Sequence, residues 1–130
     1  MEINKENILS DIGRIPSEVH KNIMYAVVDY AYKYSHVKEI GIGDVKKIVS
    51  SKYSEIDILL SLQKLCLLEF PLLELKYEFQ DSEDEYYILS NKDIEEAYKT
   101  GYLIHPRTGE AMSKEIIQSK VFMFFKVKRS

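Results

Sequence analysis

Residues 54–89 read SEIDILLSLQKLCLLEF, PLLELKYEF, QDSEDE and YYIL. Ser54-x-x-Asp57 is a capping box, and Tyr53 and Ile58 stand at the two positions of a hydrophobic staple, so a helix starts at Ser54. Pro71 cannot continue it. From Leu72 the period switches from helical to two. Leu73, Leu75, Tyr77 and Phe79 take one face, and Glu74, Lys76, Glu78 and Gln80 take the other, which is the pattern of a half-buried antiparallel strand. Residues 81–85 form the connection and residues 86–89 the returning strand.

Upstream, Pro16-Ser17-Glu18 is a helix start, with proline in the first turn and a carboxylate at the positive end of the dipole. Val19, Ile23, Val27, Tyr30 and Tyr34 follow on one face. Met24, Val28, Ala31, Tyr25 and Tyr32 extend the apolar arc, leaving Asn22, Asp29 and Lys33 as the polar strip. A helix apolar over most of its circumference is buried on two sides, within its own domain or against another subunit. Tyr25, Val28 and Tyr32 are the candidate self-association face. Residues 38–42 read as a very short strand, Gly43-Asp44 as the next helix start, and Val45, Ile48 and Val49 as the inner face of about two turns ending near Ser50-Ser51.

A short helix, a brief turn and a capped leucine-rich helix make a helix-turn-helix. With the helix before and the strand pair after, residues 15–90 resemble a winged-helix domain in the order of their elements. The expected class is α+β, a three-helix core with a β wing and a C-terminal extension over residues 91–130, all in one domain. In that extension Ser90-x-x-Asp93 is a second capping box, Leu89 and Ile94 a second staple, and Gly101 a C-cap. Residues 102–104 and the turn His105-Pro106-Arg107-Thr108-Gly109-Glu110 predict a hairpin. Residues 113–119 suit one or two helical turns, and VFMFFKV at 121–127 a central, buried strand. The first 13 residues are polar with scattered Ile3, Ile8 and Leu9, and predict at most a short turn of helix or an arm.

The 130 residues are 45% hydrophobic and 30% charged, enough for one core burying roughly two-thirds of the unfolded-chain surface. No apolar run approaches membrane-spanning length, and the N-terminus lacks a signal-peptide pattern, so a cytoplasmic protein without membrane contact is expected. Cys66 is the single cysteine; it lies among leucines and reads as core filling. The net charge of −3 conceals an asymmetry. Residues 1–53 carry 8 basic and 7 acidic groups, residues 54–98 carry 3 against 12, and residues 99–130 carry 7 against 2. Such blocks are solvated faces or docking sites for an opposite charge.

No chemistry-bearing constellation stands out. One cysteine and three histidines without paired spacing exclude a recognisable zinc motif. Asp81, Glu83 and Glu85 imitate the start of a calcium loop, but Tyr86 replaces its glycine and Lys92 its bidentate glutamate. His105 and Arg107 make the HPRTGE turn a candidate anion-binding turn beside its structural reading. No phosphate-binding, dinucleotide or nucleophile-elbow motif occurs. The expectation is a non-enzymatic protein without cofactor or metal.

A winged-helix resemblance implies DNA binding through the second helix of the pair. Here that helix begins Ser54-Glu55-Ile56-Asp57, arginine is absent from residues 15–106, and the wing tip carries Asp81, Glu83, Asp84 and Glu85. Carboxylates facing phosphates repel. The leading expectation is therefore a protein-interaction module, an adaptor or small subunit whose partner is another protein or a second copy, with the acidic wing as docking surface. The alternative is a DNA-binding regulator using Lys46, Lys47 and Lys52.

Overall fold

The computed structural model describes residues 4–50, 52–82 and 85–128, with the backbone alone at 82 and 114. The class is α+β. In chain order the elements are α1 (Lys5–Ile12), α2 (Glu18–Lys33), β1 (Glu39–Ile40), α3 (Ile42–Ile48), α4 (Glu55–Leu67), β2 (Leu73–Ser82), β3 (Glu85–Leu89), α5 (Asn91–Thr100), β4 (Leu103–Ile104), β5 (Ala111–Met112), α6 (Lys114–Lys120) and β6 (Val121–Val127). One sheet has the order β1-β6-β2-β3, and β4 pairs with β5 separately. The chain divides into two units, Met1–Leu75 with Phe125–Ser130, and Lys76–Phe124. Both boundaries between the units lie inside strands, β2 and β6.

The first unit is built around α2. Ser17 caps it by accepting the His20 N–H at 3.2 Å. Ile23, Met24, Val27, Val28 and Ala31 are buried along its length, where it meets α1, α3 and α4. Val19 and Tyr34, placed on the inner face by their spacing, are 39% and 40% exposed because they sit at the helix ends. The N-terminal segment, expected as a turn or an arm, is a full helix. Asn4 caps α1 by accepting the Asn7 N–H at 3.0 Å, and Ile8 and Ile12 are completely buried. Burying two isoleucines contributes roughly 1.5–3 kcal/mol each, which offsets the ordering of so short a segment.

Asp11 is also buried, at 6% exposure. Its Oδ2 accepts the Phe70 N–H at 2.9 Å, and its Oδ1 takes the Arg14 guanidinium at 3.3 Å. The carboxylate therefore anchors α1 to the turn that follows α4. Helix α3 begins at Ile42 rather than at Gly43-Asp44, because the Asp44 carboxylate reaches back to the Gly41 N–H at 2.8 Å. On the sheet side of this unit, Ile40 lies opposite Phe125, and the Lys128 N–H donates to the Leu72 carbonyl at 2.7 Å.

In the second unit β2 and β3 pair antiparallel, Tyr77 opposite Leu89, Glu78 opposite Ile88, Phe79 opposite Tyr87 and Gln80 opposite Tyr86, with an irregularity between Gln80 and Ser82. Phe79, Leu89, Leu103 and Met112 form its core, flanked by Tyr77, Tyr87, Ile94 and Val121. Ser90 and Asp93 close both arms of their capping box at 3.1 Å. Gly101 ends α5 at φ 80°, in the left-handed region that glycine tolerates. The strand 121–127, expected to be central and buried, is an inner strand of the sheet but leaves Phe122 47% exposed.

Replacing Asp11 with Ala strands the part-buried Phe70 N–H and removes a charge-assisted hydrogen bond, so unfolding in urea should show a loss of about 1–3 kcal/mol. An unchanged midpoint would refute the anchoring role.

Candidate interaction surface

The acidic hairpin divides its carboxylates between internal and solvent-facing duties. Asp81, expected on the docking surface, is instead bonded through Oδ2 to His105 Nε2 at 3.1 Å, and its carbonyl accepts from Lys120 Nζ at 3.3 Å. Glu85 is exposed. Glu83 and Asp84 lie outside the described residues. Beside Glu85 on β3, Tyr86 and Ile88 are 61% and 59% exposed, because the strand's alternation turns Tyr87 and Leu89 toward the core.

His105 is the organiser of the HPRTGE turn rather than an anion ligand. Its Nδ1 accepts the N–H groups of Arg107 at 3.0 Å and Thr108 at 3.2 Å. Nδ1 is thus the accepting nitrogen, and Nε2–H is the donor to Asp81. The ring stands edge-on to Phe79 and Tyr87, with centroids 5.2 and 5.7 Å away. The loop closes by His105 N–H to the Glu110 carbonyl at 2.8 Å and Gly109 N–H to the His105 carbonyl at 3.0 Å. Both ring nitrogens are committed, which removes His105 from the anion-binding pair and leaves Arg107 exposed on the turn.

A second histidine, missed in the sequence, occupies the first unit. His20 Nε2 lies 3.1 Å from Asp57 Oδ1, and Lys64 Nζ lies 2.6 Å from His20 Nδ1. The ammonium can only donate, so Nδ1 accepts and Nε2–H donates to Asp57. Ser54 Oγ donates to the other Asp57 oxygen at 3.0 Å. The order is Ser54, Asp57, His20, Lys64; a nucleophilic triad needs the imidazole between serine and carboxylate, so the cluster does not activate Ser54. The hydrogen bonds from His20 and then Ser54 hold the Asp57 carboxyl below its ordinary 3.8. Asp57 thereby forms only half of the expected capping box, its N–H donating to Ser54 Oγ at 3.1 Å.

The lysines of the nucleic-acid reading are dispersed in role. Lys46 is ion-paired with Glu55. Lys47 lines a shallow groove of about 390 Å³ with Asp29, Lys33 and Asp44, where the signs alternate. Lys52 is exposed. Of the self-association face, Val28 is fully buried within the chain, so it cannot serve a second copy; Tyr25 and Tyr32 are half-buried.

In the second unit a cavity of about 510 Å³ lies among Tyr77, Ile94, Ala97, Tyr98, Ile117 and Val121. Burial, and then the nearby Tyr98, raises the Tyr77 phenol above its usual value. Burial likewise pushes the Cys66 thiol up to about 11, and its Sγ–H donates to the Leu62 carbonyl at 3.4 Å. Among the described residues no three His, Cys, Asp or Glu side chains are grouped to hold a metal ion. None of the described helices is long and apolar enough to cross a membrane. No protein-family model, curated protein or solved structure matches the chain.

Sequence reasoning missed the His20 pairing because its partners lie 37 and 44 residues away. The outward position of Tyr86 and Ile88 was implicit in the hairpin register, had Phe79 and Tyr87 been paired.

Two measurements check this geometry. Because folding lowers the Asp57 pKa below 3.8, its contribution to stability is complete above the unfolded value and is lost as pH falls through the folded one. Asp57→Asn should lower stability at neutral pH and flatten the acid limb of the stability profile; an unaltered limb contradicts the His20 pairing. With its thiol at about 11 against an ordinary 9.0, Cys66 should react with iodoacetamide at pH 8 about a hundredfold more slowly than free cysteine. A rate matching free cysteine contradicts its burial.

Proposed function

We propose that this chain is a non-enzymatic, winged-helix-like protein-interaction module, an adaptor or small subunit working in the cytoplasm, with the acidic hairpin as its docking surface. The supporting observation is where charge sits on the α4 and β2–β3 segment. Residues 54–98 carry 12 acidic groups against 3 basic, α4 opens with Glu55 and Asp57 in its first turn, and β3 presents Glu85 beside exposed Tyr86 and Ile88. Aromatic and aliphatic exposure rimmed by one sign of charge suits a protein partner, since desolvated anchors give affinity and the charges set approach.

Duplex DNA fits this surface poorly. Its phosphates require a field of positive charge, whereas Lys46 is tied to Glu55 and Lys47 borders a groove of mixed sign.

The expected outcome is a stable complex with a protein that co-purifies with the tagged chain, weakened by Glu83→Lys, Asp84→Lys and Glu85→Lys together, most strongly at low salt. Duplex titration at physiological ionic strength should show no saturable binding. Sub-micromolar duplex affinity lost in Lys46→Glu with Lys47→Glu would overturn the proposal.

A further inference from the structure

The sheet order β1-β6-β2-β3 leaves β3 at an edge. Strand β3 pairs with β2 on one side, so every second N–H and C=O of residues 85–89 points away from the sheet. Natural edge strands are normally blunted by lysine, proline or an inward charge. The sequence EYYIL contains neither lysine nor proline, and its one charge on the core-facing side, Glu85, stands at the first position of the strand and leaves residues 86–89 uncharged. Its irregularity lies in β2, between Gln80 and Ser82, outside the strand that forms the edge. Instead β3 offers two large apolar side chains at 61% and 59% exposure, Tyr86 and Ile88.

The charges beside this edge select the occupant. Ile88 lies opposite Glu78 on β2, on the same face, and Glu85 begins β3. Residues 77–91 contain no cation at all. A second copy of β3 would bring the same carboxylates and nothing to neutralise them. A lysine or arginine side chain matches both features, because its methylene stem covers apolar surface while its head stays in water near an acid. Over an exposed tyrosine ring the same cation gains a further attraction.

Resting on the protein-docking role proposed above, we infer that β3 accepts an extended, lysine- or arginine-bearing segment of a partner protein as an added strand. The main chain of that segment completes the free edge, and its cationic side chains lie over Tyr86 and Ile88 toward Glu78, which shares their face. Main-chain pairing supplies affinity and the alternate side chains supply selection, as in other strand-addition complexes.

The test uses a synthetic peptide of alternating lysine and valine, its glutamate–valine counterpart, and the lysine peptide N-methylated at every residue. The full-length chain should bind the first saturably, with amide shifts and slowed hydrogen exchange concentrated at residues 85–89. The glutamate and N-methylated peptides should bind roughly tenfold or more weakly. Tyr86→Thr with Ile88→Lys, both at exposed positions, should lose binding while circular dichroism and the unfolding midpoint stay unchanged. Equal binding of the N-methylated peptide overturns strand addition while leaving acidic docking intact. Absence of binding by any lysine peptide overturns this inference, and whether a co-purifying partner remains decides separately on the wider role. Amide shifts at residues 85–89 that grow with protein concentration in the absence of peptide assign the edge to a second copy and overturn the partner named here.

Discussion

Helix α2 is apolar over most of its circumference, and the first unit is arranged to cover it. A helix of this composition left bare on one side would expose a continuous apolar stripe, which a folded chain covers by association or by supplying more of itself. This chain supplies more of itself. Helix α1 takes one side with Ile8 and Ile12, α4 another with Ile58, Leu62 and Leu65, and α3 closes part of the remainder through Val45. The cost is a short N-terminal helix that must be held in place, and the Asp11 bond to the Phe70 N–H holds it. That enclosure removes Val28 from any self-association face.

Elements whose signals are local were legible in the residues. The caps at Ser54 and Ser90, the stop at Gly101 and the period-two strand from Leu73 each rest on side chains within four residues of the backbone they control, and each stands near its expected place. Elements that depend on distant partners were not. Helix α1 has too few apolar residues to declare itself, and becomes stable only through α2 and through a carboxylate–amide bond spanning 59 positions. The Asp57 side chain shows the same competition in miniature. Three residues from Ser54 it should close a box, but an imidazole across the helix pair takes its carboxylate instead.

The candidate surface follows the same division. A count of charged residues placed Asp81 with its acidic neighbours and paired His105 with Arg107. The structure couples Asp81 to His105 instead, with Nδ1 of the same ring accepting two backbone N–H groups. Likewise Lys46 and Glu55, read as rival charges on two helices, neutralise each other. Net charge by segment therefore reports a field, and only the hydrogen-bond partners show which charges remain to act outside the molecule.

Where charges are retained on an exposed edge, their sign is informative because solvation alone would accept either. An edge strand protected against unwanted pairing usually carries a lysine on the strand itself, where any incoming backbone must bury or displace it. Here the acidic residues sit at the hairpin end and on β2, leaving Tyr86 and Ile88 open between them. That placement opposes a like-charged neighbour but does little to hinder a cationic one. Under the inference drawn above, discrimination at this edge comes from repulsion of a like-charged partner as much as from attraction of a cationic one.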